Sequence, residues 1–196
     1  KRQIKKRLKD TERPNFIIIN LDDMGYGDLT ITGASGYSTP NLDKMASEGI
    51  FLTNFYAPQA VSSASRAGLL TGCYPNRLGF HGALMPNSNT GLNPEEETIA
   101  SMLKKNDYAT IAIGKWHIGD KEPFMPLNHG FDEYFGLPYS NDMWPANNRN
   151  HTFPPLPLYD AKNGVYDKKI ADVQAEDQEM LTTWYTERAV DFIENN

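Results

Sequence analysis

Residues 15–21 read NFIIINL and run directly into Asp22-Asp23-Met24-Gly25-Tyr26-Gly27. The centre of this stretch is continuously apolar and β-branched, which suits a strand buried on both faces of a parallel sheet better than an alternating, half-exposed one. Two acids and two glycines then stop the strand and open a loop at its carboxyl end. Further along, residues 40–48 form an expected helix, with Thr39 as N-cap, Pro40 where a missing N–H costs little, and Gly49 as terminator. Residues 50–56 (IFLTNFY) and 108–113 (YATIAI) read as strands, and residues 65–71 (SRAGLLT) as a short helix closed by Gly72. Residues 94–105 read as another helix, its acids in the first turn and Lys104 and Lys105 in the last, complementing the macrodipole. Residues 177–195 repeat Leu181, Trp184, Tyr185, Ala189, Phe192 and Ile193 at helical spacing, an apolar face expected to pack on a sheet. The alternation predicts an α/β fold whose mostly parallel sheet is flanked by helices. Residues 125–168, rich in Pro, Asn, Gly and aromatics without sustained periodicity, read as a long surface loop region around a site.

Composition narrows the partners. The chain has 196 residues with a net charge of −6, against the basic surface that phosphate-backbone binding needs, so no nucleic-acid partner is expected. Five of its 19 Lys and Arg residues fall in the first eight positions, KRQIKKRL, so residues 1–13 are expected to be a basic N-terminal extension. No apolar run approaches the length of a membrane span, and no transmembrane segment is expected. The single cysteine, Cys73, excludes an intrachain disulfide and reads as a small buried filler.

Three groups of residues can carry chemistry. Asp22 and Asp23 lie at the carboxyl end of the first expected strand, where open α/β sheets place ligands. Their hard oxygens favour a hard cation, Ca²⁺ or Mg²⁺, over zinc. Neighbouring residues on a strand point to opposite faces, so both reach one ion only if the backbone has already turned. Ser62, at the mouth of the short helix, is either an ordinary N-cap or a small nucleophile beside free N–H groups and a positive dipole end, a place suited to an anionic ester. Arg66, in the first turn, can fold back to the same mouth. Lys115 and His117, two apart in GKWHIG, face one side of an extended segment and can reach one anion.

These residues also carry a family resemblance. The run SSASRAGLLTG resembles the type I sulfatase signature at Ser62, Ala64 and Arg66, with Ala64 where proline is commoner. LDDMGYGD is similar to the family's first metal segment, GKWHIG (114–119) to its second signature, and TPNLDKMASEGIFLTNFYA and HGFDEYFGLPYS are family-like as well. The resemblance runs from about Pro14 to Pro145 and is nearest to arylsulfatases and N-acetylgalactosamine sulfatases. It implies an alkaline-phosphatase-like fold, with residues 14–196 as the N-terminal part of the catalytic domain. It also implies Ca²⁺ held by Asp22, Asp23 and the modified Ser62, and a formylglycine made from Ser62 by a serine-type, formylglycine-generating maturase.

By the same resemblance Arg66 fixes the nucleophile, Lys115 holds sulfate and nucleophile, His117 serves the elimination step, and Ser140 lies near the sulfate. Arg77, His81, Asn141, Asp142 and Trp144 are further candidate substrate contacts. The expected activity is hydrolysis of a sulfate ester on a sulfated carbohydrate, in a periplasmic or secreted setting. The family's later Asp-Asn metal pair, His and second Lys are expected from a C-terminal remainder of the sulfatase. A phosphodiester or phosphonate hydrolase of the same superfamily and a non-catalytic sulfated-glycan-binding relic are the alternatives.

Overall fold

A computed structural model describes residues 13–147 and 152–196, which divide into two units at Asn54. The basic extension expected over residues 1–13 therefore lies outside the described residues except for Arg13.

In the first unit, helix α1 spans Pro40–Glu48, opened by Pro40 at its first turn and ended at Gly49, whose N–H bonds to the Met45 carbonyl. Its start is tied to the preceding loop, where Asp43 Oδ1 accepts from the Ile31 N–H at 3.1 Å and from Thr39 Oγ1 at 3.0 Å. Residues 15–21 and 50–56 form no strand, contrary to expectation. A continuously apolar strand is stable when both its faces are covered. Here Phe16, Ile17, Ile18 and Ile19 are between 55% and 66% exposed, so that condition is not met.

The second unit carries a four-stranded sheet in the order β1-β2-β3-β4: β1 Ile111–Ile113, β2 Glu133–Gly136, β3 Leu158–Lys162 and β4 Val165–Ile170. Only β1 and β2 run parallel, with Ile111 opposite Glu133 and Ile113 opposite Phe135; the other two pairings are antiparallel. The sheet is thus small, mixed and mostly antiparallel, flanked by few helices, which corrects the mostly parallel sheet expected of the α/β fold. The cause is the β3–β4 hairpin, turned at Asn163 and Gly164 with φ of 55° and 80°. Two successive positive φ values define a type I′ turn, whose twist matches the flanking strands. The hairpin also corrects the expected loop over 125–168, which contains β2, β3 and most of β4.

Helix α2 spans Ser62–Thr71, α3 Ile99–Lys104 and α4 Ala175–Asn195. Helix α3 is shorter than the predicted 94–105. Thr98 caps it through Ser101 N (3.0 Å), and Ser101 Oγ accepts the Thr98 N–H in return, so the three glutamates stay ahead of the helix.

Successive β2 residues point to opposite faces of the sheet. Tyr134 joins a buried cluster with Ala64, Ala67, Trp116 and Ile118, while Phe135 joins one with Leu137, Leu156, Leu158 and Leu181 of α4. Trp184 and Tyr185 of α4 complete the second cluster, so this helix does cover a sheet face. Cys73 is exposed rather than buried, because it follows the helix terminator Gly72 onto the surface.

Candidate active site

Within the second unit, the end of β1 delivers the residues expected to do chemistry against the N-terminus of α2. Gly114, at φ 93°, turns the chain out of β1, and the Gly114 and Trp116 N–H groups bond to the Phe135 and Leu137 carbonyls (2.8 and 2.9 Å). The loop carrying Lys115 is thereby pinned to the backbone that runs on to Ser140. Lys115 Nζ lies 3.2 Å from Ser62 Oγ and 3.3 Å from Ser140 Oγ, so three residues far apart in sequence meet at one point.

Ser62 is the first residue of α2, and the N-cap position belongs to Val61, which makes no side-chain cap. Ser62 therefore does not occupy the capping position and stands at the mouth of the helix. The leading N–H groups of a helix have no intrahelical acceptor and sit at the positive end of the macrodipole. With the Lys115 ammonium beside them, the mouth of α2 is a cationic, donor-rich place for an anion. Arg66 Nη1 donates to the Lys115 carbonyl at 2.5 Å, so its described contact is to the main chain of Lys115, with the guanidinium holding that loop against α2.

His117 has a left-handed φ of 62° and is 3% exposed. The segment is not extended, so two-residue spacing does not aim His117 and Lys115 alike. His117 Nε2 lies 2.9 Å from the Leu84 carbonyl, and the Leu84 N–H donates to Ser63 Oγ at 2.9 Å. Among the remaining candidates, Arg77 and His81 are exposed, and Trp144 packs on the second core cluster. Asn141 is braced by Gln178 of α4 through two hydrogen bonds of 3.0 and 3.1 Å. Asp142 is exposed, and its carbonyl accepts from Asn147. Sequence reasoning missed the parts played by Ser63, the Leu84 peptide and Gln178. Ser63 stands inside the quoted motif; the other two left no local signal.

Asp22 and Asp23 belong to the first unit and occupy a turn, with Asp23 at φ 59°. The backbone has therefore left the extended conformation where the two carboxylates stand, and both are exposed. Their donor chemistry fits a hard cation. Among the described residues no group of three or more His, Cys, Asp or Glu is gathered for a metal, so the two acids are a partial donor set.

The family profile described as Sulfatase matches residues 14–196. The chain belongs to the sulfatase family. Within it, the relationship is to the formylglycine-dependent type I enzymes of the arylsulfatase and N-acetylgalactosamine-sulfatase kind. This sulfatase chain is 40% identical over 202 residues to arylsulfatase G of Rattus norvegicus, covering 93% of the chain and 38% of that protein. It is 38% identical over 190 residues to human N-acetylgalactosamine-6-sulfatase, covering 92% and 36%. Among solved structures, the PsFucS1 sulfatase from Pseudoalteromonas sp. superposes with a TM-score of 0.82 at 27% identity, covering 98% of this chain and 42% of that one. Ps i-CgsB, crystallised in complex with k-i-k-neocarrahexaose, gives a TM-score of 0.70 at 29% identity over 89% and 40%. The chain therefore spans less than half the length of these relatives. Family membership implies a Ca²⁺-dependent, formylglycine-based mechanism.

Proposed function

We propose that this chain carries the nucleophile and sulfate-binding part of a sulfuric ester hydrolase acting on a sulfated carbohydrate, with Ser62 as the precursor of formylglycine. The observation that carries the reading is the meeting of Lys115 Nζ with Ser62 Oγ and Ser140 Oγ at the mouth of α2. Likeness to an N-acetylgalactosamine-6-sulfatase and to a protein crystallised with neocarrahexaose supports a sugar substrate.

An unmodified serine hydroxyl is a weak nucleophile, and the hydrated aldehyde would supply paired hydroxyls in its place. Around that position the chain's own groups have distinct tasks. Lys115 places a positive charge between the nucleophile position and Ser140, where it attracts the sulfuryl oxygens and favours the charge that builds on them in the transition state. Ser140 offers a hydroxyl to the same anion. The N–H groups opening α2 add neutral donors, and Arg66 keeps the Lys115 loop in place through its main-chain bond. His117 serves proton transfer in the step that releases sulfate.

Asp22 and Asp23 are the residues of the first unit that would hold Ca²⁺, whose charge would favour the anionic substrate. Calcium takes six to eight oxygens. The remaining donors are assigned to the C-terminal remainder of the protein, together with the later Asp-Asn pair and second Lys that the resemblance implies.

The test is made on the full-length protein co-expressed with a serine-type maturase. Peptide mass should show Ser62 lighter by two hydrogens, and aryl sulfate should turn over faster than aryl phosphodiester. In the same matured background Lys115→Ala should lower kcat on the order of 10²- to 10³-fold, the usual cost of one transition-state donor, without moving the melting curve. Faster phosphodiester turnover, or full activity in Lys115→Ala, would overturn the assignment.

A further inference from the structure

We infer that Ser63, the second residue of the nucleophile motif, is a positioning residue for His117, acting through the backbone of Leu84, whose N–H and carbonyl lie in successive peptide groups. Two hydrogen bonds make the link. Ser63 Oγ accepts the Leu84 N–H at 2.9 Å, and the carbonyl of the same Leu84 faces His117 Nε2 at 2.9 Å. A carbonyl oxygen can only accept, so the contact requires the proton to sit on Nε2. In the neutral ring Nδ1 then carries the lone pair and can only take a proton. The link selects the tautomer as well as the orientation of the ring.

Several features make this more than a packing contact. Ser63 is 0% exposed and His117 3%, so water is not at hand to replace either bond. His117 sits at φ 62°, a backbone region that non-glycine residues enter at a cost, and its N–H is held by the Pro138 carbonyl at 3.1 Å. Leu84 lies in an irregular segment whose side chain packs on the first core cluster, and Ser63 is fixed in the first turn of α2. The helix that presents the nucleophile position therefore also fixes, one residue later, the place of Leu84, whose carbonyl His117 faces. Nucleophile and proton-transfer group are held in register by neighbouring residues of one helix.

The inference rests on the proton-transfer role given to His117 above, and the experiment separates the two. In unmodified full-length protein labelled with ¹⁵N-histidine, the His117→Gln spectrum assigns the imidazole in question. The expected result is a single Nε2-protonated tautomer in the wild type, mixed or exchanging tautomers in Ser63→Ala, and restoration in Ser63→Thr. In matured full-length enzyme, normalised to the formylglycine content read by peptide mass, Ser63→Ala should lower kcat on the order of 10- to 100-fold with KM little changed. Ser63→Thr should recover most of it. An Nδ1-protonated His117 in the wild type would overturn the inference without any variant having to fold. So would a Ser63→Ala protein that keeps the wild-type imidazole signals and kcat. If the tautomer behaves as expected but His117→Gln is fully active, the positioning link stands and the catalytic role of His117 fails.

Discussion

Ser62 and Lys115 illustrate how far single residues can be understood from their surroundings. A serine before a helix is ambiguous until its position is known; once Val61 takes the cap, the Ser62 hydroxyl is left to its 3.2 Å contact with an ammonium. His129 is the converse case, a buried histidine away from this chemistry. It is 1% exposed, its ring lies 5.6 Å from that of Trp116, and neither ring nitrogen makes a well-aligned hydrogen bond among the described residues. Burial lowers its pKa from 6.5 to about 4, only partly opposed by the Phe124 carbonyl, which Trp116 Nε1 already occupies at 2.8 Å. The native state thus refuses a proton that the unfolded chain accepts. Stability from this residue is fully present above pH 6.5 and is lost as pH falls toward 4, about 3 kcal/mol in all. Urea midpoints at pH 7 and pH 5 should therefore differ less in His129→Leu than in the wild type. Equal differences in the two proteins would show that His129 does not titrate in this way.

At the scale of elements, the site depends on how closely β1 and β2 approach where they end. A Cβ added to Gly136 would lie 1.9 Å from the Gly114 carbonyl oxygen, a rigid main-chain atom. Gly136→Ala should push the strands apart, destabilise the protein by about 3 kcal/mol or more, and displace Lys115 from Ser62. A thermal melt reads the first effect and sulfatase kcat in surviving folded enzyme the second; a wild-type melting curve would contradict the close approach. Elements with strong local punctuation were legible in the sequence. Helix α1 was announced by Pro40 and Gly49, and α4 by its apolar repeat. The β3–β4 hairpin had its own signal in Asn163-Gly164, hidden because the surrounding Pro- and Asn-rich composition suggested a loop. Residues 15–21 and 50–56 have strand composition, yet composition does not supply the cover a buried strand needs. The site divides in the same way. Motif residues Ser62, Lys115 and Ser140 could be singled out. The Ser63–Leu84–His117 link could not, because it passes through the backbone of Leu84, which no side chain records.

For the whole molecule the distribution of apolar surface matters more than any single contact. The second unit buries two clusters on opposite faces of its sheet. The first has no buried large hydrophobic residue among those described, and Phe16, Ile17, Ile18 and Ile19 stand 55% to 66% exposed in succession. Contiguous exposed apolar surface of this kind favours association, since covering it removes hydrocarbon from water at roughly 25 cal/mol per Å². A net charge of −6 opposes association by mutual repulsion, which salt screens over a Debye length of about 10 Å at 0.1 M. The 22.1 kDa chain on its own should therefore self-associate as its concentration rises, and more so at higher ionic strength. Light scattering coupled to size-exclusion chromatography, run over a concentration series at two salt levels, measures both trends. Replacing Ile17 and Ile19 together by lysine puts charge in the middle of the run and should return the protein to monomer. A chain that stays monomeric throughout, or whose association the double lysine variant leaves unchanged, would mean that residues 16–19 are not the surface through which copies meet.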